Sequence, residues 1–178
     1  RYYVARLWED LIAVEPYALE PIPAPIVDLI DDVQRWAATV DDLMDRSPGE
    51  TRPGRALAWW SNRLVDSSYL SRGPELAFVR VDSEVRIVRS APGEEASVVT
   101  VGAEQFADEL SSFDRRLIGA MAARLDELEA TRLVPPETLE EIRLDHEGRE
   151  RERSTTTAHH VPTDWPAVLS TLKHLKVL

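Results

Sequence analysis

The chain has 178 residues, 30% of them charged, a formal net charge of −11 and no cysteine. That length suits one domain able to bury a core without staples. The missing thiols exclude disulfides and thiolate catalysis and fit a reducing, cytoplasmic setting. No run of about eighteen apolar residues suggests a membrane span, the opening shows no signal-peptide pattern, and an acidic balance disfavours nucleic acid and anionic lipid.

The charge is uneven. Residues 1–50 hold eleven acids against four bases, whereas residues 51–100 hold six acids and seven arginines. Of the 21 basic residues only Lys173 and Lys176 are lysine; no mechanism follows from that bias.

In chain order, Val4, Leu7, Trp8, Leu11 and Ile12 follow helical spacing, so an opening helix is expected that Pro16 ends or kinks. Glu20-Pro-Ile-Pro-Ala-Pro25 reads as a stiff extended connector. A second helix is predicted from about Ile26 to Met44. Ile26, Leu29, Ile30, Val33, Trp36, Ala37, Val40 and Met44 share one side, and Asp28, Asp31, Arg35 and Asp42 face the other way. Ser47 to Gly54 is a loop by its Pro and Gly content. A third, shorter helix is expected from Arg55 to about Val65. Its adjacent Trp59 and Trp60 point about 100° apart, so at most one sits at the centre of a buried stripe. Arg72-Gly-Pro74 breaks the chain.

The pattern then changes. Leu76–Val81 and Val85–Val88 read as a hairpin around Asp82-Ser-Glu84; Ala91 to Glu95 is a turn, and Ser97–Val101 is a third strand. Such a meander must bury its apolar face against a helix. The longest helix follows from about Ala103 to Ala130, striped by Phe106, Leu110, Phe113, Leu117, Met121 and Leu128. Arg124 falls inside that arc, and either extends its stem outward or pairs with a carboxylate from another element. Pro135-Pro136-Glu137 is a helix start. That helix carries Leu139, Ile142 and His146, then is expected to fray through Glu147 to Arg153. Ser154–Ala158 is polar and low in complexity, and Asp164 can cap a last helix bearing Trp165, Val168, Leu169 and Leu172.

Strands cluster instead of alternating with helices, so the predicted class is α+β: mostly helical, with a small three-stranded antiparallel meander packed on helices. Residues 1–153 are read as one α+β domain, 154–163 as a polar link and 164–178 as a C-terminal short helix.

Motifs for chemistry are sparse. The histidines are His146, His159, His160 and His174, and Asp145-His146-Glu147 lacks the second histidine a zinc helix needs four residues on. No metal or cofactor is therefore expected. There is no nucleophile elbow and no glycine-rich phosphate cradle. Adjacent acids such as Asp31-Asp32 and Asp41-Asp42 read as a solvated face, and an acid pair of the glycosidase kind has nothing pointing to it. No catalytic residue is assigned. The densest unusual cluster runs from Trp59, Trp60 and Arg63 through Asp66 and Tyr69 to Arg80. These residue types dominate binding hot spots, yet they are equally ordinary packing at a helix-to-strand junction, and the packing reading is preferred.

Several stretches carry a resemblance: Arg6-Leu-Trp-Glu-Asp-Leu11 followed by Leu19-Glu-Pro-Ile-Pro23; Trp59-Trp60 with Tyr69-Leu70 and Gly73-Pro74; and Phe113-Asp-Arg-Arg-Leu117 with Met121 and Arg124. Together, to about Arg153, they resemble an uncharacterised actinobacterial family of small acidic proteins known only as a domain of unknown function. The resemblance implies an immunity-like role for some members. The resemblance implies no reaction and no cofactor. The chain departs from it at Phe78-Val79-Arg80, where valine replaces an expected aromatic.

Three readings follow. The first is a non-catalytic acidic binding protein, an immunity-type inhibitor that masks a basic toxin or effector surface. Its candidate contacts are Asp28, Asp31 and Asp42, with Trp59, Trp60, Arg63, Asp66 and Tyr69. The second is a structural or regulatory interaction module, homodimeric in one version, using its sheet edge or aromatic cluster. The third is a carboxylate-dependent hydrolase, which requires a pocket with two facing carboxylates.

Overall fold

In the computed structural model, residues 2–45, 57–66, 75–90 and 94–178 are described. The expected loop at Ser47–Gly54, the break at Arg72-Gly-Pro74 and the candidate contact Tyr69 lie outside those residues. So do the side chains of Met44 and Asp66.

Helix α1 (Tyr2–Ala18) runs two residues past Pro16. A proline in the last turn costs one backbone bond, and burial of Trp8, Ile12, Val14 and Ala18 outweighs it. The proline-rich segment after α1 then docks instead of merely connecting. Pro21 bridges Arg80 in parallel register, and the Ile22 amide donates to the Arg80 carbonyl at 3.1 Å. Pro25 falls in the first turn of α2 (Ala24–Ile30), where its missing N–H is harmless.

The expected single helix from Ile26 to Met44 is two. α2 closes at Asp31, and α3 (Val33–Asp45) starts anew. The Asp32 carboxylate accepts from the Arg35 amide at 3.0 Å, which is N-cap chemistry. The aspartate pair read as a solvated face thus contains a helix start.

Residues 57–61 are helical (α4). The helix expected to reach Val65 stops earlier, at a turn in which the Arg63 amide donates to the Trp60 carbonyl at 2.8 Å. Strand β1 (Leu64–Asp66) follows, so the sheet has four strands and not three. The others are β2 (Glu75–Val81), β3 (Glu84–Ser90) and β4 (Ser97–Gly102). Their order is β1-β2-β3-β4, every pair antiparallel. Asp82, at φ 52°, turns the β2–β3 hairpin over two residues between Val81 and Glu84.

The sheet is buried on both faces, where one apolar face was expected. Adjacent Phe78 and Val79 are both buried, and side chains alternate along a strand, so they enter different cores. Val65, Phe78 and Val85 pack with Val14 and Ala18 of α1 and with Ala103 and Phe106. Ala77, Val79 and Val88 pack with α2, α3, α4 and the C-terminal helix. Val79, where the resemblance led to the expectation of an aromatic, fills that second core.

Helix α5 (Ala103–Thr131) is the longest, and α6 (Pro136–Ala158) folds back on it. Only Leu139 and His146 of α6 are buried, so apolar contact is not its main support. Arg149 and Arg153, four apart on one helical face, reach across instead. Arg153 binds both oxygens of buried Glu15 on α1, at 2.8 and 2.5 Å, and the Ser111 hydroxyl on α5 at 2.7 Å. Arg149 reaches Glu9 at 3.3 Å. The Trp8 indole donates to Asp114 of α5 at 2.8 Å. The Arg149 and Arg153 bonds hold α6 at Glu147–Arg153, and the helix runs on through Ser154–Ala158, the stretches expected to fray or link.

The last helix, α7 (Trp165–His174), is capped by Asp164, which accepts from the Ala167 amide at 3.1 Å. Leu172 is fully buried in the second core, so α7 is structural and not an appendage. Leu172→Ala should cost about 2–5 kcal/mol in a denaturant titration. A change below about 0.5 kcal/mol would place α7 outside the cooperative unit.

Candidate functional site

The aromatic cluster is interior. Trp59 and Trp60 are buried and pack with Trp36, their ring centroids 5.3 to 5.6 Å apart. Trp165 joins Trp59 at 5.6 Å. Both adjacent tryptophans are accommodated because the buried arc extends over α3 on one side and α7 on the other.

Arg63 is fully buried at the centre. Its guanidinium donates to the Trp59 carbonyl at 2.7 Å and to Glu20 at 2.8 Å. It lies 5.1 Å from the Trp165 ring centroid, with Trp59 and Tyr17 at 5.8 and 5.9 Å. Glu20 also accepts from the Thr163 amide at 2.9 Å and its hydroxyl at 2.6 Å. Burial pushes the Arg63 guanidinium below its ordinary value, and the Glu20 charge opposes that shift. Trp59, Trp60 and Arg63 are therefore a locked core and present no contact surface, which is the packing alternative weighed for this cluster.

The acidic candidates are exposed but divided. Asp28 lies on α2, Asp42 on α3, and Asp31 at the bend between them. The three do not share one helix face as the single-helix reading required. Asp31 is paired with Arg86 of β3. Asp66 lies in β1, its Cα opposite Glu75. Arg124 binds Glu127 of its own helix at 2.7 Å, near solvent, instead of a carboxylate elsewhere.

Two cavities lie along the α5–α6 hairpin. The larger, about 800 Å³, sits at the tip beside Leu133, Pro135, Leu139 and Arg143. The smaller, about 220 Å³, is lined by Leu125, Asp126, Arg143, His146, Glu147 and Glu150. His146 is buried there with neither ring nitrogen hydrogen-bonded, and its Nε2 stands 3.7 Å from Glu150. Among the described residues, no group of three histidines and carboxylates is placed to hold a metal ion. No described helix is long and apolar enough to cross a membrane.

Burial, then the nearby Glu9 charge, holds the Glu152 carboxyl above its ordinary range, with Arg149 pulling the other way. Glu152 lines neither of these two cavities.

Among the described residues, β4 is an open sheet edge that ends the sheet and pairs with β3 alone, and residues 97–100 are all exposed. Val98 and Val99 are 42% and 64% exposed on opposite faces. Val99 continues the Phe78–Ile87 row and Val98 the Ala77–Val88 row. The edge strand thus has the apolar pattern of a two-sided interior strand without its cover. Its signal in the sequence was Ser97-Val-Val-Thr-Val-Gly102, uncharged and free of proline.

A family model matches residues 1–171. The chain belongs to the family of unknown function DUF5984. The match extends past Arg153, where the sequence resemblance ended, through most of α7, in keeping with the burial of that helix. No curated protein and no solved structure matches the chain.

Two outcomes test the site. Arg63→Met leaves Glu20 without its cation and should cost about 3–5 kcal/mol in urea unfolding; an unchanged midpoint would contradict the clamp. A carboxyl raised in the folded state contributes stability that is fully present below the ordinary glutamate range and lost as pH rises through the folded value. Glu152→Gln should therefore raise the melting temperature near about pH 7 and leave it nearly unchanged near about pH 4. A loss at the higher pH would reverse that assignment.

Proposed function

We propose that this chain is a non-catalytic binding protein that takes an extended segment of another protein onto the free edge of β4. The observation that carries the reading is an exposed edge strand with apolar side chains on both faces and no charge along its length. Edge strands are usually protected by lysine, proline or a bulge, because their open N–H and C=O groups recruit further strands. Strand addition satisfies those groups through the partner's backbone, with side-chain pockets adding specificity.

An inhibitory version, in which the protein masks a basic toxin or effector as immunity proteins do, draws on a second observation. Asp28, Asp32, Asp41 and Asp42 are exposed beside the second core, and a net charge of −11 steers a basic partner toward the chain. That charge acts at long range and speeds encounter, while β4 supplies the docked contact.

The test is binding to the product of the adjacent gene, with native chain and with Val99→Lys. The substitution is on the surface and should change stability by no more than about 0.5 kcal/mol, while a lysine on the edge blocks strand addition. The expected result is a complex with the native chain that weakens at least about tenfold in the variant. Equal binding by both would remove β4 as the contact, and no complex across a range of salt would count against the inhibitory version.

A further inference from the structure

We infer that the segment β4 accepts is a heterologous strand, apolar at its centre and carrying lysine or arginine at both ends. This rests on the reading of β4 as a docking edge and adds the chemistry of what docks.

Six uncharged residues, Ser97–Gly102, form the edge itself. Just before it stand exposed Glu94 and Glu95. At the far end are exposed Glu84, whose Cα is opposite Gly102, and Glu104 in the first turn of α5. Glu94 is occupied by Arg89 at 2.8 Å. Glu84, Glu95 and Glu104 have no ion pair among the described residues. Among the described residues, the β3 arginines beside the edge are committed, Arg89 to Glu94 and Arg86 to Asp31. The edge is therefore apolar in the middle with unneutralised carboxylates at both ends.

A second copy of this chain fits that surface poorly. Two-fold antiparallel pairing of β4 with itself brings the Glu95 end of one copy to the Glu84 and Glu104 end of the other, twice. Like charges placed opposite one another across strands are destabilising, and the whole-molecule charge of −11 adds to the repulsion. A segment with basic ends meets opposite charge at each end, whether it runs parallel or antiparallel to β4. Its β-branched or aromatic centre would extend the rows ending at Val98 and Val99, covering both.

The experiment uses the full chain, labelled for amide NMR, and three synthetic peptides. Each has an eight-residue centre of alternating valine and threonine, flanked by two lysines, two glutamines or two glutamates at each end. The expected result is movement of β4 amide signals by the lysine-ended peptide, with at least about threefold tighter binding than the glutamine-ended one. That gap should close at high salt and in the combined variant Glu84→Gln, Glu95→Gln, Glu104→Gln. Equal affinity of the lysine- and glutamine-ended peptides at β4 would overturn the charged-end inference while leaving the edge reading intact. If no peptide moves the β4 signals, the edge reading itself fails. Light scattering showing a dimer that Val99→Lys abolishes would replace the heterologous partner with a second copy.

Discussion

A buried arginine holds this fold together. Arg63 has no exposed surface, and a charge taken from water is tolerated only where counter-charge and hydrogen bonds are supplied; here both Nη atoms are bonded, while Nε has no hydrogen-bond partner among the described residues. Glu20 supplies the charge, and the rings of Trp165, Trp59 and Tyr17 surround the guanidinium. The partners come from the end of α1, from α4 and from the segment leading into α7. One side chain thus fixes three parts of the chain that are far apart in sequence. Glu20 extends the clamp by taking both the amide and the hydroxyl of Thr163. If Arg63 had water instead, α7 would lose the contact that brings Trp165 over the second core.

That clamp lets a short sheet be covered on both sides. β1 spans three residues, and beyond it Pro21 and Ile22 continue along the same side of β2, with Arg80 donating to the Leu19 carbonyl at 2.9 Å. The helical half on the other side of α1 uses charge differently. There Arg149 and Arg153 join α6 to α1 through Glu9 and Glu15, so part of the acidic opening third is turned inward. The molecule's negative charge is therefore not one displayed face. Some of it binds helices together, Asp31 is answered by a sheet arginine, and only the remainder can act on a partner.

Much of the fold was legible in the sequence because it follows local rules. The hairpin at Asp82, the long α5, the proline start of α6 and the Asp164 cap each depend on a few neighbouring residues. What the sequence hid depends on distant ones. The continuous apolar stripe from Ile26 onward concealed a helix start at Asp32, since periodicity survives a bend that keeps the core side inward. Leu64-Val65-Asp66 is too short to signal a strand until β2 is beside it. The run Arg149 to Arg153 looked solvated because its counter-charges are about 140 residues away in α1. Candidate contacts split the same way: Trp59, Trp60 and Arg63 have hot-spot chemistry but lie inside, whereas the plain residues of β4 lie outside.

The sheet is locked at β1–β3 and open at β4. Residue-resolved hydrogen exchange of the native chain tests that arrangement most directly. Amides of β2, β3 and α7 should exchange only through global unfolding, while β4 amides pointing away from β3 should exchange at close to the rate of unprotected peptide. Outward β4 amides as protected as those of β2 would show that the edge is already covered, and rapid exchange throughout α7 would show that Arg63 does not lock it.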